Sequence, residues 1–408
     1  MKQKMIYLFL TAAFLVGGLG FGFSQNNDWN QFRGQTRSGG TDEVIGDISW
    51  LENEPELLWR KEIGSAFSEL VISNQMIYTL ASEQIDSVSG NEFVIAFNEE
   101  TGEEVWRTKI DSIFIDVDGW GNGPRSTPSI DDNYVYCLSG HGKLSAHSRK
   151  DGEMLWQVNF PKDYSSTLPR WGYSSSPLLF EDKLIVEVGG TDSRAFMCFD
   201  KKDGKVIWSK AKGNASYNSP LLATIQGQAQ FIFMSGRTLY SYHPNGDTLW
   251  TYKMPLSRLS AMPVLIDEDK IFVSGVRSVG FTIVQIKDNV AKEVLRGNSM
   301  KNDFNSCSYY NGHIYGFHVA ALRCISAETG EVKWTKRGYG KGSLIRVDSQ
   351  LLVLSDKGKL ILVDTDTSVY TEKGKVQAIQ GKSWTAPSFS NGKVYVRNRT
   401  EMACYKLK

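Results

Sequence analysis

From Pro55 onward the chain alternates short apolar runs with polar turns. In the clearest example, residues 93–97 are apolar, residues 98–102 are polar, and the apolar character resumes at Val105 and Trp106. Runs of this length and composition predict strands, and Thr101-Gly102 predicts a tight turn because glycine tolerates positive φ. The stretch therefore predicts two antiparallel strands joined by a short connection.

The same stretch recurs along the chain, with a tryptophan four residues after the turn glycine. The recurring pairs are Gly102–Trp106, Gly152–Trp156, Gly204–Trp208, Gly246–Trp250 and Gly330–Trp334. Such a period indicates an array of similar structural units. The longer gap before Trp334 leaves room for one degraded copy at residues 281–295. A second degraded copy is predicted at residues 360–370.

Each unit fits four short strands, which the second unit shows best at residues 126–130, 134–138, 142–146 and 155–158. A proline marks the first strand of five units. These are Pro128, Pro177, Pro220, Pro263 and Pro387. Proline is tolerated on edge strands, and the innermost strand of a propeller blade is such an edge. Four-stranded units of this length predict the blades of a β-propeller.

Counting fourth strands gives seven units, followed by three more strands at the C-terminus. The strand that would complete this last unit precedes the first one, at residues 57–60, and it carries Trp59. We therefore predict an all-β, eight-bladed propeller spanning residues 55–408, closed by the N-terminal strand. Closure would hide the two free sheet edges. A seven-bladed ring is the alternative.

Two segments precede the propeller. Residues 1–24 combine a basic start, a short apolar stretch and small residues at a cleavage site, which predicts a signal peptide. An uncleaved anchor is the alternative. No cysteine lies near the cleavage site, so we expect a periplasmic or secreted protein without a lipid anchor. Residues 25–54 are predicted to form an arm across the propeller face or edge, held by apolar contacts of Trp29 and Phe32. A ligand role for Arg33 or Arg37 is the lesser alternative.

Composition narrows the range of partners. The formal net charge is +1, which gives no electrostatic indication of nucleic-acid binding. No apolar run after the signal peptide is long enough to span a membrane. No cluster of histidine, cysteine or carboxylate residues has the spacing of a metal site, so we predict neither catalytic nor metal-binding residues. We expect a monomer.

The repeat resembles that of the pyrroloquinoline-quinone (PQQ) type eight-bladed propellers. The matching positions are Ala96, Asn98, Thr101, Gly102 and Trp106, with equivalents that end at Trp208 and Trp334. That superfamily includes quinoprotein alcohol dehydrogenases and the BamB-like propeller of the outer-membrane assembly machine. The resemblance implies that the repeat tryptophans dock blade against blade. They are Trp59, Trp106, Trp156, Trp208, Trp250 and Trp334.

The resemblance leaves function open, since one fold hosts enzymes and scaffolds. The dehydrogenases carry adjacent cysteines beside the quinone, whereas the five cysteines here are all separated in sequence and are expected to be buried thiols. We therefore expect no cofactor and a non-enzymatic scaffold that binds a protein or peptide. The alternatives are a PQQ- and calcium-dependent dehydrogenase, or a propeller that binds a small ligand or saccharide.

The loops that lead into the inner strands are the predicted binding region. They open at the mouth of the channel, and two of them are long and rich in aromatic residues, at 113–125 and 164–173. Aromatic and arginine side chains there would either bind a planar ligand or peptide, or plug the funnel. The candidates are Trp120, Asn122, Arg125, Arg170, Trp171, Tyr173, Tyr217, Arg258 and Trp384.

Overall fold

A computed structural model describes residues 27–256, 260–276 and 280–407 of the chain. Within these residues, eight sheets are arranged as propeller blades around a central channel, each with four antiparallel strands, as predicted. The sheet of blade 7 has a fifth strand, β1 (Gly40–Thr41), which pairs parallel with its inner strand. The predicted signal peptide and Arg258 lie outside the described residues. None of the helices formed by the described residues has the length and apolarity needed to cross a bilayer.

The N-terminal segment contributes the first two strands, β1 (Gly40–Thr41) and β2 (Glu56–Glu62). Blade 1 contains β3 (Val71–Ser73), β4 (Met76–Gln84), β5 (Gly90–Asn98) and β6 (Glu104–Ser112). Blade 2 contains β7 (Ser129–Ile130), β8 (Tyr134–Leu138), β9 (Lys143–Ser148) and β10 (Met154–Asn159), followed by the short helix α1 (Phe160–Tyr164). Blade 3 contains β11 (Leu178–Phe180), β12 (Lys183–Gly190), β13 (Arg194–Asp200) and β14 (Val206–Lys210). Blade 4 contains β15 (Leu221–Ile225), β16 (Gln228–Ser235), β17 (Thr238–Tyr242) and β18 (Thr248–Lys253).

The second half of the ring continues in the same order. Blade 5 contains β19 (Val264–Ile266), β20 (Lys270–Ser274), β21 (Phe281–Lys287) and β22 (Val290–Gly297). Blade 6 contains β23 (Ser308–Tyr310), β24 (His313–His318), β25 (Ala321–Ser326) and β26 (Val332–Lys336). Blade 7 contains β27 (Ser343–Val347), β28 (Gln350–Leu354), β29 (Lys359–Asp364) and β30 (Glu372–Gln377). Blade 8 contains β31 (Ser388–Ser390), β32 (Lys393–Arg397) and β33 (Glu401–Lys406), and β2 completes it.

The ring is closed by the N-terminal strand, as the sequence predicted. Strand β2 pairs antiparallel with β33, and Trp59 lies opposite Cys404. The buried Arg397 adds a second link, because its guanidinium donates to Thr79 Oγ1 at 2.8 Å and Leu80 O at 3.0 Å in blade 1. Strand β2 and the three C-terminal strands are thus held in one blade, and that blade is tied to the next.

One extra residue precedes the motif tryptophan in the fourth strand. In blade 1, Trp106 lies opposite Ala96 while Glu104 lies opposite Phe97, which leaves Val105 as the bulged residue. The same register shift occurs in the other seven blades of the described structure. The shift places Leu295 and Gly374 at the tryptophan position of blades 5 and 7. The predicted end of the seventh fourth strand near Tyr370 was therefore wrong, since β30 begins only after it.

In blades 8, 1, 2 and 3, the motif tryptophan packs on the motif glycine of the next blade. A Cβ atom added to Gly204 would lie 2.6 Å from Trp156, and one added to Gly152 would lie 2.5 Å from Trp106. The indole of Trp156 also donates to Lys201 O at 3.1 Å, in the same turn of blade 3. Trp250 differs, because its indole donates to Gln230 Oε1 of its own blade at 2.9 Å. Turn and tryptophan thus recur together because they form one interface.

This interface gives a prediction about Gly204, which has a φ of +71°. Replacing Gly204 with alanine will lower the free energy of unfolding by about 2–4 kcal/mol. The alanine backbone would be strained in the left-handed region, and its Cβ would overlap the indole of Trp156. Gly227 is the matched control, because its φ is +75° and nothing lies within 4 Å of an added Cβ. Gly227→Ala should cost only about 1 kcal/mol in the same urea titration. Equal costs would show that the contact with Trp156 does not matter.

The first part of the N-terminal arm, residues 28–41, lies inside the channel, which the sequence did not predict. Residues 43–50 run across the face and edge of blades 7 and 8, as predicted. Trp29 forms an antiparallel bridge with Ile72 of blade 1. After a turn, β1 runs parallel to β27 of blade 7, with Gly40 opposite Arg346. Trp29 is buried among apolar side chains. The arm enters from the side where inner strands lead into second strands, and residues 33–37 form its tip. We call residues 28–41 the plug.

Beyond the plug, the arm supplies an aromatic ring that blade 7 lacks. Gly374 occupies the tryptophan position there, and a Cβ on it would lie 2.5 Å from the Cβ of Trp50. The backbone N–H of Trp50 donates to Lys373 O at 2.6 Å, and its ring belongs to the same buried cluster as Tyr405 and Leu407 of blade 8. Trp50 therefore replaces the missing repeat tryptophan between blades 7 and 8.

Candidate functional site

A cavity of about 300 Å³ opens at the centre of the face where fourth strands lead into inner strands. Each blade contributes the equivalent residue to its wall, three positions before the proline position of the inner strand. In ring order these residues are Phe67, Arg125, Ser174, Tyr217, Ser260, Phe304, Lys341 and Trp384. One position of the repeat thus forms the cavity wall, and the residue type at that position in each blade determines which parts of the wall are aromatic, polar or charged.

Below this ring, hydroxyl groups join neighbouring blades. The backbone N–H of Glu69 donates to Thr127 Oγ1 at 2.9 Å, that of Thr127 donates to Ser176 Oγ at 3.0 Å, and that of Ser176 donates to Ser219 Oγ at 2.8 Å. These residues immediately precede the proline position. Serine and threonine at this position therefore fix the spacing of the inner strands, which holds the cavity wall in place.

One wall of the cavity is an aromatic cluster centred on Trp384. Its ring stacks on Phe67 with centroids 6.2 Å apart and contacts Phe304 at 4.9 Å and Trp120 at 5.8 Å. The ammonium of Lys382 lies 3.6 Å from the centroid of the Trp384 ring. Such a wall favours an apolar or planar group that stacks on an indole.

The opposite wall is formed by Trp171 and Tyr217, whose ring centroids are 5.0 Å apart. Asp118 fixes this wall to the neighbouring loop, because it accepts from Trp171 Nε1 at 2.7 Å and pairs with Arg170 at 2.6 Å. The hydrogen bond from Arg170 lowers the pKa of Asp118 to about 2. Ser174 also lines this side, and its Oγ has no hydrogen-bond partner among the described residues.

The plug forms the floor of the cavity through Phe32 and Arg33. The backbone N–H of Arg33 donates to Glu69 Oε2 at 2.8 Å, and its guanidinium donates to Cys307 O at 2.7 Å. Burial raises the pKa of Glu69 to about 7, although this hydrogen bond and the charge of Arg33 oppose the shift. The Glu69 carboxyl of the wall thus meets the plug at the bottom of the funnel.

Arg37 ties the plug to blades 3 and 4. Its guanidinium donates to Ser176 O at 3.1 Å, to Pro220 O at 2.9 Å and to Pro177 O, while its Nε donates to Gln31 Oε1 at 2.9 Å. The side chain is 1% exposed, and burial lowers its pKa to about 9. Both arginines therefore hold the plug in the channel by binding carbonyl groups of the inner strands.

The structure brings five of the nine predicted candidates to the cavity. They are Trp120, Arg125, Trp171, Tyr217 and Trp384. Three others do not line it. Asn122 fixes its loop by accepting from Asp116 N at 2.9 Å, and Arg170 pairs with Asp118 outside the cavity. Tyr173 is 1% exposed and packs against Phe160 in the core.

Other lining residues were missed by the sequence reasoning. Phe67, Glu69 and Phe304 belong to blades whose inner strand has no proline to mark the wall position. The sequence favoured apolar anchoring of the arm over a ligand role for Arg33, because nothing in it placed the arm inside the channel. The signal that would have found Phe67 and Phe304 is their fixed spacing before the inner strand.

Within the described residues, no group of three or more histidine, cysteine, aspartate or glutamate side chains is placed to hold a metal ion. The carboxylates at the cavity are already engaged: Glu69 accepts from the backbone of Arg33, and Asp303 pairs with Lys341 at 2.5 Å. Nearby Asp116 pairs with Arg125 at 3.4 Å. All five cysteines are buried and outside disulfides.

Glu187, on the second strand of blade 3, gives a prediction about pH. Its Oε2 accepts from Ser216 Oγ at 2.7 Å, its Oε1 has no partner among the described residues, and burial raises its pKa to about 8 from an ordinary value of 4.5. As the pH rises through this interval, the unfolded chain loses the proton while the folded protein retains it. This carboxyl therefore opposes folding progressively between pH 4.5 and 8.

Glu187→Gln will consequently be more stable than the wild type by a margin that grows across this interval, because each pKa unit corresponds to about 1.4 kcal/mol. Below pH 4.5 the two proteins should differ little. Chemical denaturation at several pH values measures the margin. The exposed Glu100 is the control, and Glu100→Gln should show no such trend. A margin that does not change with pH would contradict the account.

The fold and the channel-centred funnel define the class of protein, an eight-bladed propeller built from PQQ-type repeats. The chain belongs to the family described as outer membrane protein assembly factor BamB, whose family model matches residues 90–336. A search of the curated proteins finds no significant match.

Solved structures share the fold at low sequence identity. BamB from Moraxella catarrhalis aligns with a TM-score of 0.63 and 14% identity, over 86% of this chain and 97% of the other. Quinohemoprotein alcohol dehydrogenase from Comamonas testosteroni aligns with a TM-score of 0.69 and 11% identity, over 93% and 80% of the two chains. The computationally designed Ika8 protein aligns with a TM-score of 0.62 and 11% identity, over 86% and 99%. At these identities the similarity shows the fold alone.

Proposed function

We propose that this protein is an exported, non-enzymatic propeller that binds a partner protein or peptide through its funnel face. The main observation in support is that the aromatic cavity continues into exposed apolar side chains on the same face. Trp120 at its edge is 44% exposed, Val117 is 78% exposed, and Val88 is 76% exposed. Contiguous exposed apolar surface on a soluble domain is typical of interaction sites.

The loops beside the cavity extend this surface. Val88, Val117 and Leu168 line an open groove together with Phe114 and Arg170. The ion pair between Arg170 and Asp118 joins the two loops that form it. A surface of this form suits an extended segment of a partner, with one anchoring side chain in the cavity.

The family and the predicted signal peptide support the same proposal. The family takes its name from assembly of outer membrane proteins, and such a role is exercised by binding other proteins. Export is inferred from residues 1–24, which precede the described structure. The location we propose is the periplasm or the exterior of the cell.

Site-specific photo-crosslinking tests the proposal in cells that express the protein. A photoreactive residue replacing Val117 should give a discrete crosslinked product whose partner is identified by mass spectrometry. Val290, which is 64% exposed on the outer strand of blade 5, is the matched control and should give none. Equal products from both positions, or none from Val117, would reject the funnel face as the binding surface.

The second candidate is a small-ligand function of the same cavity, since about 300 Å³ with indole walls suits a small planar molecule. For PQQ the test is direct. Purified protein mixed with PQQ and calcium, then passed through a desalting column, should retain no quinone absorbance and reduce no dye with an alcohol. If the protein retains one quinone per chain and oxidises the alcohol, the scaffold proposal is wrong and the protein is a dehydrogenase.

A further inference from the structure

Four cationic side chains lie together on one side of the cavity mouth, around Trp120 and Trp384. We call them the cationic quadrant: Arg125, Lys341, Lys382 and Arg399. Two of them are neutralised, Arg125 by Asp116 at 3.4 Å and Lys341 by Asp303 at 2.5 Å. Lys382 and Arg399 make no ion pair with any described residue. The funnel therefore carries excess positive charge although the whole chain is nearly neutral, at +1.

The two uncompensated cations are held by the aromatic wall and the adjoining loop. The ammonium of Lys382 lies 3.6 Å from the Trp384 ring centroid and 5.6 Å from that of Trp120. The Nε of Arg399 donates to Ser65 Oγ at 3.1 Å, and its guanidinium packs against Gly121, where an added Cβ would lie 2.7 Å from Cζ. Both charged groups are therefore placed next to the cavity mouth.

The positive charges of these groups repel one another. Partial burial lowers the pKa of Lys382, and the positive charges of Arg399 and Lys341 lower it further. An anion between these groups would relieve the repulsion and accept charge-assisted hydrogen bonds. A concave surface that carries one sign of charge also raises the rate at which oppositely charged ligands arrive.

We propose that the cationic quadrant binds the carboxylates of an acidic peptide segment whose neighbouring aromatic or apolar side chain enters the cavity. This inference rests on the proposed function and specifies the chemistry of its partner. The aromatic wall accommodates the anchor, while Lys382 and Arg399 pair with acidic residues beside it. A nucleic acid fits less well, since the excess charge is confined to one quadrant and does not form a long basic stripe.

Synthetic peptides test the inference by fluorescence anisotropy. The probe is a dye-labelled, capped hexapeptide of alternating aspartate and phenylalanine, compared with one in which lysine replaces aspartate. At about 50 mM salt the acidic peptide should bind at least about tenfold more tightly, and its affinity should fall as salt is raised. In Lys382→Glu/Arg399→Glu, the affinity for the acidic peptide should fall at least about tenfold.

The matched control is Lys202→Glu/Lys292→Glu, which makes the same charge change at exposed positions away from the funnel and should bind like the wild type. Thermal unfolding of both variants verifies that they are folded. The inference is overturned if the acidic peptide does not bind or if both peptides bind equally. It is also overturned if Lys382→Glu/Arg399→Glu binds the acidic peptide as tightly as the wild type. If Val117 still crosslinks a partner in that case, the proposed function stands and only the acidic chemistry is wrong.

Discussion

Replacing Arg37 with methionine will lower the free energy of unfolding by about 3–5 kcal/mol, the range for breaking a buried charged network. The guanidinium is the common partner of three carbonyl groups, on Ser176, Pro177 and Pro220, and of the amide of Gln31. Methionine fills much of the same space but donates no hydrogen bond. The carbonyl groups would remain buried without their donor, and each such loss costs about 1–3 kcal/mol.

Urea denaturation measures this change, and limited proteolysis locates it. The protease should cut the variant first within the plug, because the inner strands no longer hold that segment. Arg107→Met is the control, since Arg107 makes exposed ion pairs with Glu83 and Glu104. Exposed pairs contribute about 0–1 kcal/mol, so this variant should remain close to the wild type. A loss of stability as small for Arg37 as for Arg107 would mean that the plug is not held as described.

Replacing Trp384 with alanine will weaken partner binding at least about 30-fold, the loss expected from a central aromatic anchor of an interface. Trp384 contacts Phe67, Phe304 and Trp120, so its removal eliminates the centre of the aromatic wall. The side chain is only partly buried, so the fold should be affected far less than binding. Titration of the crosslinked partner against purified protein measures the affinity.

Two comparisons separate binding from stability in this variant. Trp384→Phe keeps a ring at the same position and should recover part of the affinity. Trp208→Ala removes a repeat tryptophan that is 8% exposed between blades, and it should destabilise the protein without changing the funnel. If Trp384→Ala binds the partner normally while remaining folded, the cavity is not the anchor site.

The repeat positions could be predicted from the sequence because each carries a physical requirement. Gly204 must be glycine, since it combines a positive φ with contact to Trp156, and the pair therefore recurs at a fixed spacing. Trp59 indicated the closing strand, because the motif tryptophan marks the fourth strand of a blade. The fourth strand of blade 7 was predicted too early in the sequence, because Gly374 occupies its tryptophan position. The aromatic ring there comes from Trp50, which is far away in sequence.

The site was predicted less completely because its residues do not repeat in identity. Trp120, Arg125 and Trp384 could be selected by composition, but composition also selected Tyr173, which packs in the core against Phe160. The plug was not foreseen, because Arg33 and Arg37 bind carbonyl groups contributed by several blades. Such partners exist only after the ring has closed, and no local pattern of residues encodes them.

Hydrogen–deuterium exchange of the protein with and without its crosslink-identified partner tests the central claim most directly. The claim is that this propeller acts by binding through its funnel face. Binding should slow exchange in residues 113–125, 164–173 and 382–386 and leave the outer strands β22 and β26 unchanged. Protection confined to the outer strands or to the opposite face, with the funnel loops unchanged, would contradict it.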